Sequence, residues 1–266
     1  MREVLERLLA GEFTVEEALR ALEAAPVEVA GELARLDPGR LRRKGVPEVI
    51  YAPGKTPPVT AELAIRMVDL SGQALVSRVT PEHDAALEAA ASGRGIPIQA
   101  LGSGRRLGSP PAAGGASVGL LAGGTSDIDV AEEARMVLEA MGVSVPRAYD
   151  VGAAALQRLH DPLRSMIESG VDAFIVAAGM DAALPTVVSG LVSAPVIAVP
   201  VSTGYGAGGR GLAALLAMLQ CCSPGVTVVN IDNGIGAGAA AGLVAIRVQA
   251  ARAGSGRATS APEVTR

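Results

Sequence analysis

Residues 195–226 read PVIAVPVSTGYGAGGRGLAALLAMLQCCSPGV, and this stretch decides the class of fold. The apolar run at residues 196–201 has the length of a buried strand. A glycine-rich connection follows at residues 200–209, and the apolar residues 208–220 are predicted to form a helix. A further strand is predicted at residues 226–231. This order of strand, helix and strand is typical of a parallel sheet that helices cover on both faces.

The same alternation extends towards the N-terminus and predicts a three-layer αβα parallel sheet, an α/β fold. Its other strands are expected at residues 116–122, 144–151 and 173–177, and its other helices at residues 130–141, 153–170, 181–190 and 234–249. A smaller N-terminal α/β module is predicted from strands at residues 48–52 and 74–78 and helices at residues 56–70 and 81–91. A linker rich in Gly, Ser and Pro is expected at residues 102–115. The predicted division is a helical arm (1–36), the small α/β module (37–108), the catalytic domain (109–250) and a mobile tail (251–266).

Composition excludes several classes of function. The net charge is −4, which gives no electrostatic basis for binding nucleic acid. The most apolar stretches are strand-sized and interrupted by Gly, Pro or Asp, so no membrane span is expected. The N-terminus carries charges throughout and the chain has only two cysteines, so a cytoplasmic location is expected. His83 and His160 are far apart without a second ligand at metal spacing, so both are predicted at the surface and no metal site is expected.

Four glycine-rich loops are predicted at the carboxyl ends of strands, where open parallel sheets bind their ligands. Glycine allows the backbone to approach a ligand closely, and hydroxyls and helix N–H groups bind phosphate or ribose oxygens. The alternative for the Ser and Asp residues is that they only cap helices. The candidate ligand-binding residues are Gly124, Thr125, Ser126 and Asp127 in the first loop; Gly179, Met180 and Asp181 in the second; Ser202, Thr203, Gly204, Tyr205 and Gly206 in the third; and Asn233 in the fourth. The third loop lacks the Gly-Lys-Ser/Thr ending of a P-loop, which argues against a nucleoside triphosphatase.

Cys221 and Cys222 end a long apolar helix just before the last strand. Small buried packing residues are one interpretation of this pair. The partial negative charge at a helix C-terminus opposes formation of a thiolate, so a catalytic cysteine here needs a cationic partner. The substrate itself is one possible source of that positive charge.

Five ordered segments resemble the LarB family of nickel-pincer cofactor biosynthesis. They are LDPGRLRRKGVPEVIYAPGKTP (36–57), GGTSDIDVAEEA (123–134), AAGMDAALPTVVSGL (177–191), PVIAVPVSTGYGAGGRGLAALLAMLQCCSPGV (195–226) and VVNIDNGIGAG (228–238). The C-terminal half is similar, more distantly, to the aminoimidazole ribonucleotide carboxylases. The resemblance implies a PurE-like, flavodoxin-like catalytic domain and a homo-oligomer, an octamer as in those carboxylases.

The resemblance also implies a reaction: nicotinic acid adenine dinucleotide and CO2 or bicarbonate give pyridinium-3,5-biscarboxylic acid mononucleotide and AMP. Cys222 matches the family nucleophile, which adds to ring C4 and makes C5 nucleophilic. Asp127 and Ser126 would hold ribose or the substrate carboxylate, and Asp181 would accept a proton. The basic motif, Arg40, Lys44 and Lys55, would contact the phosphates of the dinucleotide or a neighbouring subunit. No tightly bound cofactor is implied, and a need for Mg²⁺ is left open.

The sequence departs from the family pattern at several positions. Asp181 stands where the family usually has Glu, and Gln157 stands where it has His. Pro38 and Gly39 replace residues that are usually histidines. Two alternatives therefore stay open beside the synthase: an aminoimidazole ribonucleotide carboxylase or mutase of purine biosynthesis, and an inactive nucleotide-binding homologue.

Overall fold

The computed structural model describes residues 2–24, 27–29 and 34–255. The chain divides into two units, Met1–Pro111 and Ala112–Arg266. Each unit has its own hydrophobic core. The division falls within the residues predicted as a linker.

The larger unit contains one parallel five-stranded sheet. Its strands are β7 (Val118–Ala122), β8 (Arg147–Ala148), β9 (Ala173–Ala178), β10 (Val196–Pro200) and β11 (Val226–Val228), in the order β11-β10-β9-β7-β8. Counted within the unit, this is the order 2-1-3-4-5 of flavodoxin-like folds. Residues in β7, β9 and β10 are buried throughout, as expected for a sheet covered on both faces. The predicted three-layer α/β fold is confirmed.

Helices cover both faces of this sheet. They are α6 (Ile128–Ala140), α7 (Leu156–Glu168), α8 (Ala183–Ser189), α9 (Leu212–Leu219) and α10 (Gly234–Ser255). Helices α7, α8 and α9 contribute Leu163, Val188 and Met218 to one core cluster with the strands. Helix α10 packs against α6, β9 and β10. It is long and apolar enough to cross a membrane by length and composition, but in this fold it is a helix of the αβα unit.

The close packing of α10 on α6 depends on glycines spaced four residues apart. A Cβ added at Gly238 would lie 2.6 Å from the carbonyl oxygen of Ala134 and 3.0 Å from the Cβ of Val137. A Cβ added at Gly234 would lie 2.1 Å from the carbonyl oxygen of Val130. Because these atoms belong to the backbone or to a stiff side chain, the two helices would have to move apart. Gly234 and Gly238 of the predicted fourth loop therefore serve helix packing.

We expect Gly238→Ala to lower the free energy of unfolding by about 1–3 kcal/mol, since overpacking forces backbone shifts. Urea unfolding followed by circular dichroism measures this change. Gly190→Ala is the control in the same unit, because a Cβ there meets only ordinary contacts at 3.5 and 3.6 Å and the residue has φ −72°. Equal destabilisation by the two substitutions would contradict the close helix packing.

The smaller unit has a mixed four-stranded sheet of order β3-β4-β6-β5. Its elements are α3 (Arg40–Lys44), β3 (Val49–Tyr51), α4 (Pro57–Ser71), β4 (Gln73–Ser77), α5 (Pro81–Ser92), β5 (Ile98–Leu101) and β6 (Gly104–Gly108). Strand β3 is parallel to β4, whereas β6 is antiparallel to both β4 and β5. The first residues form α1 (Arg2–Leu9), α2 (Val15–Ala24) and two antiparallel strands, β1 (Val27–Val29) and β2 (Ala34–Leu36).

Several predicted boundaries were wrong. The arm at residues 1–36 is not wholly helical, because the alternating residues of β1 and β2 pair with each other. Residues 104–108 of the predicted linker form β6, one of the two inner strands, whose Arg105 pairs with Asp84 at 2.6 Å. The strand predicted at 144–151 is only two residues long. Residues 251–255 of the predicted mobile tail belong to α10, and residues 256–266 lie outside the described residues.

Candidate active site

Two adjoining cavities open where β7, β9 and β10 end. One, of about 650 Å³, contains the loops after β7, β8 and β9; the other, of about 520 Å³, follows the glycine-rich loop after β10. They share Met180, Thr203, Gly204 and Tyr205. The first loop and the second flank the point where the strand order reverses, which is where this class of sheet binds ligands.

Most of the predicted ligand-binding residues line these cavities. The larger cavity contains Gly124, Ser126, Asp127, Gly179, Met180, Asp181, Thr203, Gly204 and Tyr205, and the smaller one adds Ser202 and Gly206. Thr125 does not line either cavity, but it begins the short 3-10 turn Thr125–Asp127 between Gly124 and α6. The structure therefore brings the predicted residues of the first three loops together in one region of the molecule.

Asp127 is buried at the centre of the site. Its Oδ2 accepts a hydrogen bond of 2.8 Å from the N–H of Gly124. Its Oδ1 is buried without a hydrogen bond of standard geometry, although the N–H of Gly179 favours the charged form of the carboxyl. Burial raises the pKa of Asp127 and outweighs these two N–H groups, and the nearby charge of Asp232 raises that pKa further. A carboxyl that is poised in this way can hold or release a proton within a binding site.

The raised pKa predicts how stability depends on pH. The folded state disfavours ionised Asp127, so its contribution to stability is present below the ordinary value of 3.8 and is lost as the pH rises through the raised pKa. Asp127→Asn removes this loss. We therefore expect the urea midpoint of the variant to rise relative to wild type as the pH increases above 3.8.

Asp84→Asn is the control of opposite sign. The hydrogen bond from Arg105 lowers the pKa of Asp84. The ionised carboxylate therefore stabilises the fold at pH values above 3.8, its ordinary pKa, and this contribution is lost as the pH falls. The midpoint of the Asp84 variant should fall relative to wild type as the pH rises towards 5. Parallel pH profiles for wild type and the Asp127 variant would show that burial does not disfavour the charge of Asp127.

Asp181 lies at the tip of a strained turn. Met180 has φ 49° and Ala182 has φ 50°, so two non-glycine residues in the left-handed region flank it. Each such residue costs about 1–2 kcal/mol. Helix α8 begins only at Ala183, so the expectation that Asp181 starts or caps this helix was wrong. The turn instead presents an exposed carboxylate to the larger cavity, and strain of this kind often marks a functional position.

The glycine-rich loop is anchored at its start by a residue that the sequence did not single out. Asp232 accepts a 2.8 Å hydrogen bond from the N–H of Ser202, and its own N–H donates to the carbonyl of Pro200 at 2.9 Å. Asp232 has φ 54°. Its neighbour Asn233 caps α10, because its Oδ1 accepts from the N–H of Gly236 at 2.8 Å. Asn233 lines neither cavity, and its predicted role in ligand binding stays a prediction.

Cys222 lies near the amino ends of the strands, opposite the carboxyl ends where the two cavities open. Helix α9 runs from the glycine-rich loop towards Cys222 and, with eight residues, is roughly 12 Å long. The N–H of Val196, at the start of β10, donates to the carbonyl of Gly225 just after the two cysteines. Neither cysteine lines the two cavities described above. One copy of the chain therefore does not bring Cys222 to its own cluster of loops.

A hydrogen-bond network fixes the turn that contains the two cysteines. The Sγ of Cys221 accepts from the hydroxyl of Thr186 at 3.1 Å and from the N–H of Ser223 at 3.4 Å. The Ser223 hydroxyl donates to the hydroxyl of Ser189 at 2.9 Å, which donates to the carbonyl of Pro224. Cys221 is half-buried in this network, whereas Cys222 is exposed. The adjacent thiols therefore have different surroundings.

The predicted basic residues belong to the N-terminal unit. Arg40 pairs with Asp37 at 3.3 Å and with Glu48 at 3.6 Å, and a hydrogen bond from Arg43 is the main cause that lowers the pKa of Asp37. Lys44 is exposed, while Lys55 donates to the carbonyl of Tyr51 at 2.8 Å. Arg40 is thus already neutralised by acids of its own module.

The two histidines differ in exposure. His160 is exposed as predicted, but His83 is buried, so its predicted surface position was wrong. Its ring contacts the Thr80 hydroxyl at 2.8 Å and the carbonyl of Lys55 at 3.0 Å, which ties α5 to the loop after β3. Across the described part of the chain, no three His, Cys, Asp or Glu side chains converge as metal ligands would.

Comparison with known proteins identifies both parts of the chain. Residues 27–94 match the family model of a LarB/PurE-like N-terminal domain, and residues 117–259 match that of AIR carboxylase. An uncharacterized protein of Methanocaldococcus jannaschii is 39% identical over 264 residues, 92% of this chain and 96% of that protein. An N5-carboxyaminoimidazole ribonucleotide mutase of the same organism is 35% identical over 132 residues, 49% of this chain and 77% of the mutase. The Thermotoga maritima mutase is 32% identical over 128 residues, 46% of this chain and 70% of its own length.

Proposed function

Because the chain belongs to the LarB family, with an AIR carboxylase domain behind its LarB-type N-terminal domain, we propose that it makes pyridinium-3,5-biscarboxylic acid mononucleotide. The substrates are nicotinic acid adenine dinucleotide and CO2 or bicarbonate, and AMP is released. The observation that carries this proposal is the presence of both domains in one chain. The mutases align with only about half of the chain, which leaves the N-terminal domain to a different or additional task.

Cys222 is the proposed nucleophile. Its thiolate forms a bond to C4 of the pyridinium ring, and the ring nitrogen takes up the electron pair. The product is a dihydropyridine whose C5 is an enamine carbon and attacks CO2. Loss of the C5 proton and cleavage of the sulfur–C4 bond restore the aromatic ring and the thiolate. The cationic ring also offsets the unfavourable field at the C-terminus of α9.

The position of Cys222 supports a site that is shared between two copies of the chain. Helix α9 exposes Leu212, Leu216 and Leu219 on one face, between the glycine-rich loop and the cysteines. Exposed apolar faces of this size favour association. If the α9 helices of two copies pack antiparallel about a two-fold axis, the Cys222 of each copy comes to the glycine-rich loop of the other. This geometry is the proposed basis of the homo-oligomer, for which the family resemblance implies an octamer.

Asp181 is the proposed acceptor of the C5 proton. Its carboxylate is exposed at the cavity, on a turn whose strained neighbours fix its position. Asp127 is the proposed contact for ribose or the substrate carboxylate, because its buried carboxyl lines the larger cavity. Water then attacks the phosphoanhydride, and AMP leaves. Mg²⁺ is the candidate metal ion for this cleavage. The proposed location of the protein is the cytoplasm.

The test is product analysis by mass spectrometry. Purified protein is incubated with nicotinic acid adenine dinucleotide, bicarbonate and Mg²⁺, and a parallel reaction contains ¹³C-bicarbonate. A mononucleotide heavier by one carboxyl group, carrying the ¹³C label, and an equal amount of AMP are expected. Unchanged dinucleotide that nevertheless binds would favour the inactive nucleotide-binding homologue.

The second candidate function is that of the mutases. It rests on their 35% identity to the C-terminal half. That chemistry needs no thiol nucleophile, so it leaves the cysteine turn without a role. Conversion of N5-carboxyaminoimidazole ribonucleotide by the purified protein, or rescue of a purine auxotroph, would support this candidate against the synthase.

A further inference from the structure

Arg210 occupies an unusual position in the glycine-rich loop. Gly209, Arg210 and Gly211 have φ values of 58°, 51° and 90°, so three successive residues are left-handed. Glycine adopts this conformation without strain, but arginine does not. The surrounding loop thus holds a long cationic side chain at a position where a glycine would fit better. Strain of this kind is a reason to look for a function of the side chain.

The side chain of Arg210 has no partner among the residues that the structure describes. It makes no hydrogen bond or ion pair in the part of the chain that the structure describes. By contrast, Arg158 pairs with Asp150, and Arg252 pairs with the buried Asp172 at 2.6 Å. Arg210 lines the cavity of about 520 Å³, and it is the one charged residue among the described residues that line it. A guanidinium that no acid neutralises is suited to bind an anion in that cavity.

The two adjoining cavities differ in charge. Among the described residues, Asp127 and Asp181 line the larger one together with no Lys or Arg, whereas Arg210 is the charged residue of the smaller one. In nicotinic acid adenine dinucleotide, a pyridinium ring whose positive charge is balanced by its own carboxylate is joined through ribose to an anionic phosphoanhydride. A substrate that spans both cavities would place its anionic phosphoanhydride beside Arg210 and away from the two carboxyl groups of the larger cavity.

We propose that Arg210 binds the phosphoanhydride of the dinucleotide and so fixes its direction across the two cavities. This inference rests on the proposed function, and it assigns a role to a residue outside the predicted set. The planar guanidinium donates paired hydrogen bonds to phosphate oxygens. The pyridinium ring then faces Asp127 and Asp181, and C5 comes to the carboxylate that accepts its proton.

The test compares the affinity of Arg210→Gly and wild type for three probes by isothermal titration calorimetry. For nicotinic acid adenine dinucleotide, we expect the loss of a charge-assisted hydrogen bond to weaken binding roughly 10- to 100-fold. For nicotinic acid riboside, which lacks phosphate, we expect equal binding by both proteins. The variant should unfold at the same or a higher urea concentration than wild type, because glycine relieves the left-handed strain. Arg164→Ala is the control for the loss of one positive charge, since Arg164 is an exposed residue of α7 that pairs only weakly with Glu168 at 3.6 Å.

The outcomes separate this inference from the proposed function. Undiminished binding of the dinucleotide by folded Arg210→Gly would overturn the inference while the synthase proposal stands. Equal loss of dinucleotide and riboside binding would show that Arg210 shapes the loop and does not contact phosphate, which also overturns it. If wild type binds no dinucleotide, the proposed function fails, and inorganic pyrophosphate becomes the deciding probe. Binding of pyrophosphate that Arg210→Gly abolishes would still support the anion site, whereas equal binding by both proteins would reject it.

Discussion

Cys222→Ser is expected to abolish formation of the carboxylated mononucleotide while leaving binding of nicotinic acid adenine dinucleotide nearly unchanged. A serine hydroxyl at neutral pH does not add to ring C4 as a thiolate does, so C5 never becomes nucleophilic. Removing a nucleophile lowers turnover by roughly a thousandfold or more. Mass spectrometry of the products measures turnover, and calorimetry with the dinucleotide measures binding.

Cys221→Ser is the matched control, because it changes the same atom one residue away. Cys221 accepts hydrogen bonds from Thr186 and from the N–H of Ser223, and a serine hydroxyl can accept both. We therefore expect product formation within about tenfold of the wild-type rate, since a typical hydrogen bond contributes only about 1 kcal/mol. Equal and severe losses for both variants would identify the two cysteines as a packing pair and would remove Cys222 from the mechanism.

The central strands were predictable because local composition and burial agree there. Strands β7, β9 and β10 are apolar runs bounded by Gly, Pro or Asp, and the fold buries each of them completely. Strand β6 was missed because its sequence, GRRLG, is that of a polar loop. It forms only because β4 and β5 pair with it on either side and Asp84 pairs with Arg105. These are contacts between residues distant in sequence, which local patterns do not contain.

The part of the site that consists of loops directly after strands could be predicted from the sequence. Gly, Ser and Asp after an apolar run mark a strand end, and parallel strands bring their carboxyl ends to one edge. Asp232 and Arg210 were missed because their roles depend on left-handed backbone conformations, and non-glycine residues give no local signal for these. The distance of Cys222 from the loops follows from the topology. A helix that begins at the carboxyl ends of the parallel strands ends near their amino ends.

That distance leads to the last prediction: two inactive variants should restore activity to each other. In Cys222→Ala the cavity keeps Asp181, and in Asp181→Asn the chain keeps its thiol. If each site takes its cysteine from another copy, a site that combines Asp181 of the first variant with Cys222 of the second is intact. Random mixing makes about a quarter of the sites intact in this way, because two independent choices must both be favourable. Each variant alone should be nearly inactive, since loss of a general base lowers turnover about 10²- to 10⁴-fold.

The measurement uses the two variants co-expressed with different affinity tags and purified through both tags, so that every oligomer contains both chains. For the proposed octamer, product formation near a quarter of the wild-type rate is the expected result. The double variant Cys222→Ala/Asp181→Asn, co-purified with wild type, is the control for dilution. In that mixture too, about a quarter of the sites are intact if the cysteine comes from another copy, against about half if it comes from the same copy. Mixed oligomers of the single variants that stay inactive would place both groups in one chain, and α9 would then have to unwind or shift to bring Cys222 to the loops. The complementation experiment therefore tests the position of Cys222 independently of its chemistry, because an inactive cysteine variant alone reveals only that the thiol is needed.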